Sequence, residues 1–143
     1  PWAAEPAVTS VFTAVVRDAV PDCGPLGGIA AALARAASPY VAVLAIDLPA
    51  MQASWFQLLL AQVSGKGGLG VAGRRAGYFE PLAAVYPREL DALVARAFAA
   101  GDYSLQRLLH QAVAGGLMQV LEITPAEAGM FANRNDSRGS PSA

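Results

Sequence analysis

The chain has 143 residues, 55% of them hydrophobic and 15% charged, with a formal net charge of -1. A chain of that length buries roughly two thirds of its unfolded surface in one core, which excludes disorder as a description of the whole. The 10 Lys plus Arg are balanced by 11 Asp plus Glu and no window concentrates the basic residues, so nucleic-acid binding through a basic face is excluded as well.

The longest apolar stretches are broken by charge, Gly or Pro short of the ~20 residues that a spanning helix needs, so a soluble protein without membrane segments is expected. No basic segment leads an apolar run to a small-residue cleavage site, and no secretory leader is read. Cys23 is the single cysteine and has no partner for an internal disulfide, which fits a reducing, cytoplasmic compartment. The chain opens at Pro1 and not at methionine, which implies processing or sequence upstream.

Residues 8–16 mix β-branched and aromatic side chains and stop before Arg17-Asp18; they read as a strand, with a short helix as the alternative. The turn-rich Pro21-Asp22-Cys23-Gly24-Pro25-Leu26-Gly27-Gly28 feeds an Ala- and Leu-rich helix over 29–37,. Residues 40–46 form an unbroken apolar run between Ser38-Pro39 and Asp47-Leu48-Pro49, the pattern of a strand covered on both faces. An amphipathic helix over 52–63, a Gly-rich loop over 64–68 and a short strand over 69–72 follow,. Pro81 interrupts 79–86, which is therefore an edge or bulged strand. A helix over 88–99 is stopped by Gly101, and Ser104 caps a second helix that runs to about residue 114 and is stopped by Gly115-Gly116,. Residues 117–123 alternate enough to form a strand. From Asn133 onward the composition turns polar and disorder is expected.

Strands that alternate with helices predict an α/β domain with a three-layer, mostly parallel sheet and right-handed crossovers. It is read as a single domain over 1–132 with a polar tail over 133–143. Ligands of such sheets sit beyond the carboxyl ends of the strands, where strand order reverses. Asp47 directly follows an apolar strand and stands at that rim. Position alone leaves open whether it caps the turn before Met51 or, with substrate phosphates, holds a hard cation such as Mg2+. Asp18 and Asp22 stand in a similar relation to the weaker first strand; either can accept hydrogen bonds from a nucleotide or from turn backbone, and position alone favours ordinary Asx turns. The Gly24–Gly28 stretch precedes a helix whose free N–H groups can receive an anion, although it is neither G-x-G-x-x-G nor a P-loop. Lys66, the only lysine, reads as a solvated loop residue. His110 has no second ligand at metal spacing and reads as a structural or surface histidine. With one histidine, no Ser-His-Asp set is built.

Four segments, in order, resemble the molybdenum cofactor guanylyltransferases, the MobA-like nucleotidyltransferases. Val15-Val16-Arg17-Asp18 followed by Gly24-Pro25-Leu26-Gly27-Gly28-Ile29 is similar to the family's D…GPLAGI block, and Val43-Leu44-Ala45-Ile46-Asp47-Leu48-Pro49 to its strand and C-D-x-P. Glu80-Pro81-Leu82-Ala83-Ala84-Val85-Tyr86 looks like its P-L-x-A-x-Y strand, and Phe131-Ala132-Asn133-Arg134-Asn135 like its F-x-N-x-N-T-P segment. The resemblance implies a Rossmann-like nucleotidyltransferase fold and transfer of GMP from GTP to the terminal phosphate of molybdopterin cofactor, with release of pyrophosphate. Asp47 then matches the Mg2+ and GTP ligand and Asp18 the Asp that helps hold the nucleotide. Gly24 and Gly27 shape the nucleotide pocket. Asn133 and Asn135 match the asparagines on the metal and pterin side, and Glu80 and Tyr86 are candidates for the acceptor side. Molybdoenzyme-maturation proteins are the partners it suggests.

Two departures accompany the resemblance. The family's N-terminal L-x-G-G-x-S-x-R-M-G-x-x-K signature has no counterpart, and after Asn135 the chain reads Asp-Ser-Arg-Gly-Ser where the family has Thr-Pro and a closing helix. An N-terminally truncated domain is the expectation. Transfer of CMP to molybdopterin, a sugar-phosphate acceptor, or a non-catalytic binding module derived from the same fold are the competing readings.

Overall fold

A computed structural model describes residues 14–65 and 68–133. Most of the candidate first strand, together with Lys66 and Asn135, lies outside these residues; positions 14–16 carry no strand. The first element among the described residues is helix α1 (Pro25–Arg35). It begins four residues earlier than its apolar run implies, because Pro25 fits the first helical position, where no N–H partner is lost and φ is already set. Strand β1 (Tyr40–Leu44), helix α2 (Ala53–Gly65) and strands β2 (Gly70–Arg75) and β3 (Tyr78–Pro87) follow. A single 3-10 turn (Arg88–Leu90) leads into α3 (Asp91–Ala100), which ends at Gly101 in the left-handed conformation. Helix α4 (Leu105–Ala114) is capped as expected, with Ser104 Oγ accepting from Arg107 N at 3.3 Å. Strand β4 (Met118–Glu122), the short helix α5 (Pro125–Ala128) and a 3-10 turn (Gly129–Phe131) complete the described chain.

The strands lie in the order β1-β3-β2-β4. Strand β3 is antiparallel to both β1 and β2, while β2 and β4 are parallel. Three of the four strands thus point one way, as a mostly parallel sheet requires, but only β2–β4 is a parallel ladder. The reason is the tight hairpin at Ala76-Gly77, both at positive φ (50° and 82°), which turns β3 back between β1 and β2. Strand β3 is therefore interior and not an edge. It is bulged, as Pro81 predicts: its register against β2 slips between Val71 and Gly73.

Alternate residues of β3 supply two cores. Ala84 and Tyr86 face a cluster built with Leu26, Leu33, Leu90 and Leu109 of the α1, α3 and α4 layer. Ala83 and Val85 face Trp55 and Leu59 of α2 together with Phe131. Helices therefore cover both faces of the sheet. Strand β1 departs from its expected full burial: Val41 and Val43 pack toward α1, but Leu44 is 51% and Ile46 94% exposed, since β1 is the edge of the described sheet. No helix among the described residues is long and apolar enough to cross a membrane.

Candidate active site

Because β1, β2 and β4 share a direction, their carboxyl ends meet at one rim of the sheet, the side on which ligands of open α/β sheets bind. Asp47 stands in the turn after β1, half-buried. Its Oδ2 accepts a hydrogen bond of 3.2 Å from Asn133 Nδ2, so residues 86 positions apart are joined. The carboxylate lies where two hollows meet. One, of about 720 Å³, runs between α1 and β1 and is lined by Pro25, Gly28, Ile29 and residues 41–47. The other, of about 280 Å³, is lined by Asp47, Arg75, Glu80, Pro81, Phe131 and Asn133.

The first turn of α1 forms the far wall of the larger hollow. Gly24, its N-cap, has φ 59° and ψ -154°, a region only glycine occupies at low cost. Gly27 is required for a different reason. A β-carbon on it would stand 2.5 Å from Cys23 Sγ and 2.6 Å from Asp18 Oδ2, closer than atoms can pack. The Asp18 carboxylate is thus held against the N-terminal turn of α1, where the helix dipole favours negative charge. Cys23 itself is buried, with Sγ donating to Val20 O at 2.9 Å.

Glu80 and Tyr86 part company. Glu80 is half-buried at the smaller hollow, 3.6 Å from Arg75 Nη2; burial raises its pKa, and the nearby guanidinium lowers it by less. Tyr86 is instead wholly inside the core, its hydroxyl donating to Pro81 O at 2.7 Å, with burial pushing its ionisation far up. An acceptor-side role for Tyr86 is therefore corrected to a structural one: its ring faces the helix layer on the side of β3 away from Phe131, and its hydroxyl closes the bulge. His110 is a surface residue of α4, edge-on to Phe79 at 5.0 Å between ring centroids. Arg75, by contrast, lines the smaller hollow although no sequence motif marked it. The signal lay in its position relative to Glu80, which becomes legible only once the β2–β3 hairpin is drawn.

Among the described residues no group of three or more His, Cys, Asp or Glu side chains is disposed around one point. A single strand-end carboxylate beside an amide suits Mg2+ better, since that ion keeps waters and is held by one or two carboxylates plus substrate phosphates.

Fold and site together define an α/β domain with a carboxylate at the carboxyl-end rim of its sheet and a glycine-lined helix start facing it. The chain belongs to the MobA-like NTP transferase domain family, whose model matches residues 3–116. It is 38% identical over 123 residues to a probable molybdenum cofactor guanylyltransferase of Opitutus terrae, covering 84% of this chain and 60% of the relative. It is 36% identical over 103 residues to the molybdenum cofactor guanylyltransferase of Pseudomonas putida, covering 71% of this chain and 53% of that one. The chain thus spans a little over half the length of these relatives. The fold matches a solved protein of Aquifex aeolicus with a TM-score of 0.70 at 22% identity, covering 90% of this chain and 66% of that one. It also matches molybdopterin-guanine dinucleotide biosynthesis protein A of Archaeoglobus fulgidus with a TM-score of 0.61 at 23% identity, over 76% and 54% of the two chains.

Proposed function

We propose that this chain belongs to a guanylyltransferase that moves GMP from GTP to the terminal phosphate of molybdopterin, and that it carries residues of the metal- and substrate-binding cleft. The observation that carries the proposal is the placement of Asp47 at the junction of the two hollows, bonded to Asn133. In such a transfer an acceptor phosphate oxygen attacks the α-phosphorus, the bond to the bridging oxygen of pyrophosphate breaks, and the rate comes from alignment and charge neutralisation. Asp47 would hold Mg2+, which when bound supplies that neutralisation. Asn133, through its amide, fixes the rotamer of Asp47 so that the carboxylate stays aimed at the hollow. The start of α1 forms the donor wall, where Gly28 lines the larger hollow and Gly27 makes room for Asp18 to pack against the helix from behind. GTP as donor, Mg2+ as the ion, a cytoplasmic site of action and molybdoenzyme-maturation proteins as partners belong to the same proposal.

Calorimetry on the chain tests it. GTP binding that requires Mg2+, is not matched by CTP and is lost in Asp47→Ala is the expected result. Absence of binding to the unaltered chain points to a non-catalytic module, and preference for CTP to the related cytidylyl transfer.

A further inference from the structure

The β2–β3 hairpin brings one cation to the rim beside Asp47. Arg75 pairs with Tyr78 and Gly73 with Glu80, which makes Arg75 and Glu80 diagonal neighbours across the ladder. Both line the smaller hollow together with Asp47 and Asn133. Their closest approach, 3.6 Å from Nη2 to Oε1, is too long for a hydrogen bond. The other ion pairs of the described residues differ. Arg107 grips Asp102 through Nε at 2.7 Å and Nη2 at 2.6 Å, and Arg74 holds Glu122 through Nε and Nη2. Of the three ion-paired guanidiniums among the described residues Arg75 is thus the most loosely held, and it is the only cationic side chain among the described lining residues of either hollow at Asp47.

A hollow that presents two carboxylates repels an anionic acceptor unless a cation offsets them. A guanidinium fork matches the oxygens of a phosphate and forms stronger, shorter bonds with it than with a carboxylate at 3.6 Å,. The carboxylate of Glu80 is poorly served where it is, since burial costs it more than Arg75 returns. We propose that Arg75 binds the phosphomonoester group of the acceptor in the hollow beside Asp47, and that Glu80 holds the guanidinium in place until the phosphate displaces it. This rests on reading the hollow as a nucleotidyl-transfer site, and it names the residue that takes the acceptor's terminal phosphate.

Titration of the chain with inorganic phosphate, followed by 31P NMR linewidth, tests the assignment separately from GTP binding. Arg75→Ala weakens phosphate binding by about tenfold or more, and Arg75→Lys falls between, because a single ammonium cannot form the fork. Glu80→Gln acts in the opposite direction and tightens binding several-fold by removing the competitor. Arg74→Ala, whose side chain is engaged by Glu122, leaves the affinity unchanged. Equal affinities across all these proteins, or weakening by Glu80→Gln, overturn the proposal, because a purely structural ion pair loses the same from either end. Absence of phosphate binding to the unaltered chain at millimolar concentration overturns it too. A final titration at saturating GTP and Mg2+ separates two sources of phosphate: retained binding supports an acceptor subsite, and displacement assigns Arg75 to the donor's phosphates instead. If Asp47→Ala leaves GTP binding intact while the Arg75 pattern holds, the donor reading fails and the phosphate assignment stands.

Discussion

Trp55 shows how a single side chain makes the bulge in β3 tolerable. Where the β2 ladder slips, carbonyls of β3 lose backbone partners, and a buried carbonyl without a partner is costly. The indole of Trp55 donates to Ala83 O at 2.9 Å from a fully buried position, and Tyr86 donates to Pro81 O at 2.7 Å. Trp55→Phe keeps an aromatic ring but orphans Ala83 O, so urea denaturation should show a loss of about 1–3 kcal/mol. Ionisable residues at this scale have opposite signs. Hydrogen bonds from Arg107, aided by the Ser104 N–H, hold Asp102 down to about 2. Its contribution is present above the ordinary carboxylate value and is lost as pH falls toward the depressed one; because the pair lies at the surface with Arg107 largely exposed, NMR titration and not stability is the measurement. Arg107→Gln should return Asp102 toward 3.8. Glu80 is raised by burial, so the folded state holds its proton longer than the unfolded chain does. Its contribution is fully present below the ordinary value of 4.5 and declines as pH rises through the raised one,. At neutral pH, Glu80→Gln should therefore leave the melting temperature unchanged or slightly higher.

Among the elements, helix α1 sets two glycines against each other. Alanine is the better helix former by about 1 kcal/mol. At Gly28 a β-carbon meets nothing closer than Asp18 Oδ1 at 3.9 Å, so Gly28→Ala should stabilise by roughly that amount. At Gly27 the same atom falls inside Cys23 and Asp18, and overpacking of about 1–3 kcal/mol outweighs the propensity gain; thermal unfolding should place the two variants on opposite sides of the unaltered chain. Element punctuation was the most legible part of the sequence, because its chemistry is local: Ser104 before α4, Gly101 after α3 and Pro81 at the bulge each act where they stand. The hairpin was not legible. Ala76-Gly77 is not a favoured Asn-Gly pair, Ala76 takes φ 50° against its preference, and the polar Arg74-Arg75 end of β2 does not read as strand, so the reading stopped at Ala72. That loss concealed Arg75, since its nearness to Glu80 exists only across the ladder.

At the scale of the whole molecule, the four sequence blocks become one place. The start of α1, the end of β1, the opening of β3 and the segment after α5 are far apart along the chain, yet they converge on the rim where β1, β2 and β4 end. Strand-end position marked Asp47, and the family resemblance marked Asp18 and Asn133. Nothing local marked the bond between Asp47 and Asn133, because a contact across 86 residues is a property of the folded sheet and not of spacing. Nor did alternation show that Tyr86 faces the helix layer while Glu80 reaches the hollow: that depends on the register slip between Val71 and Gly73.

Paramagnetic broadening by Mn2+, which shares the oxygen ligands of Mg2+, probes the proposed metal–nucleotide site at Asp47 and its neighbour Asn133. With GTP present, the side-chain amide signals of Asn133 should broaden at substoichiometric Mn2+ while those of Gln111 on α4 persist, and Asp47→Ala should abolish the effect. Sharp Asn133 signals, or broadening centred elsewhere and indifferent to Asp47, would contradict it.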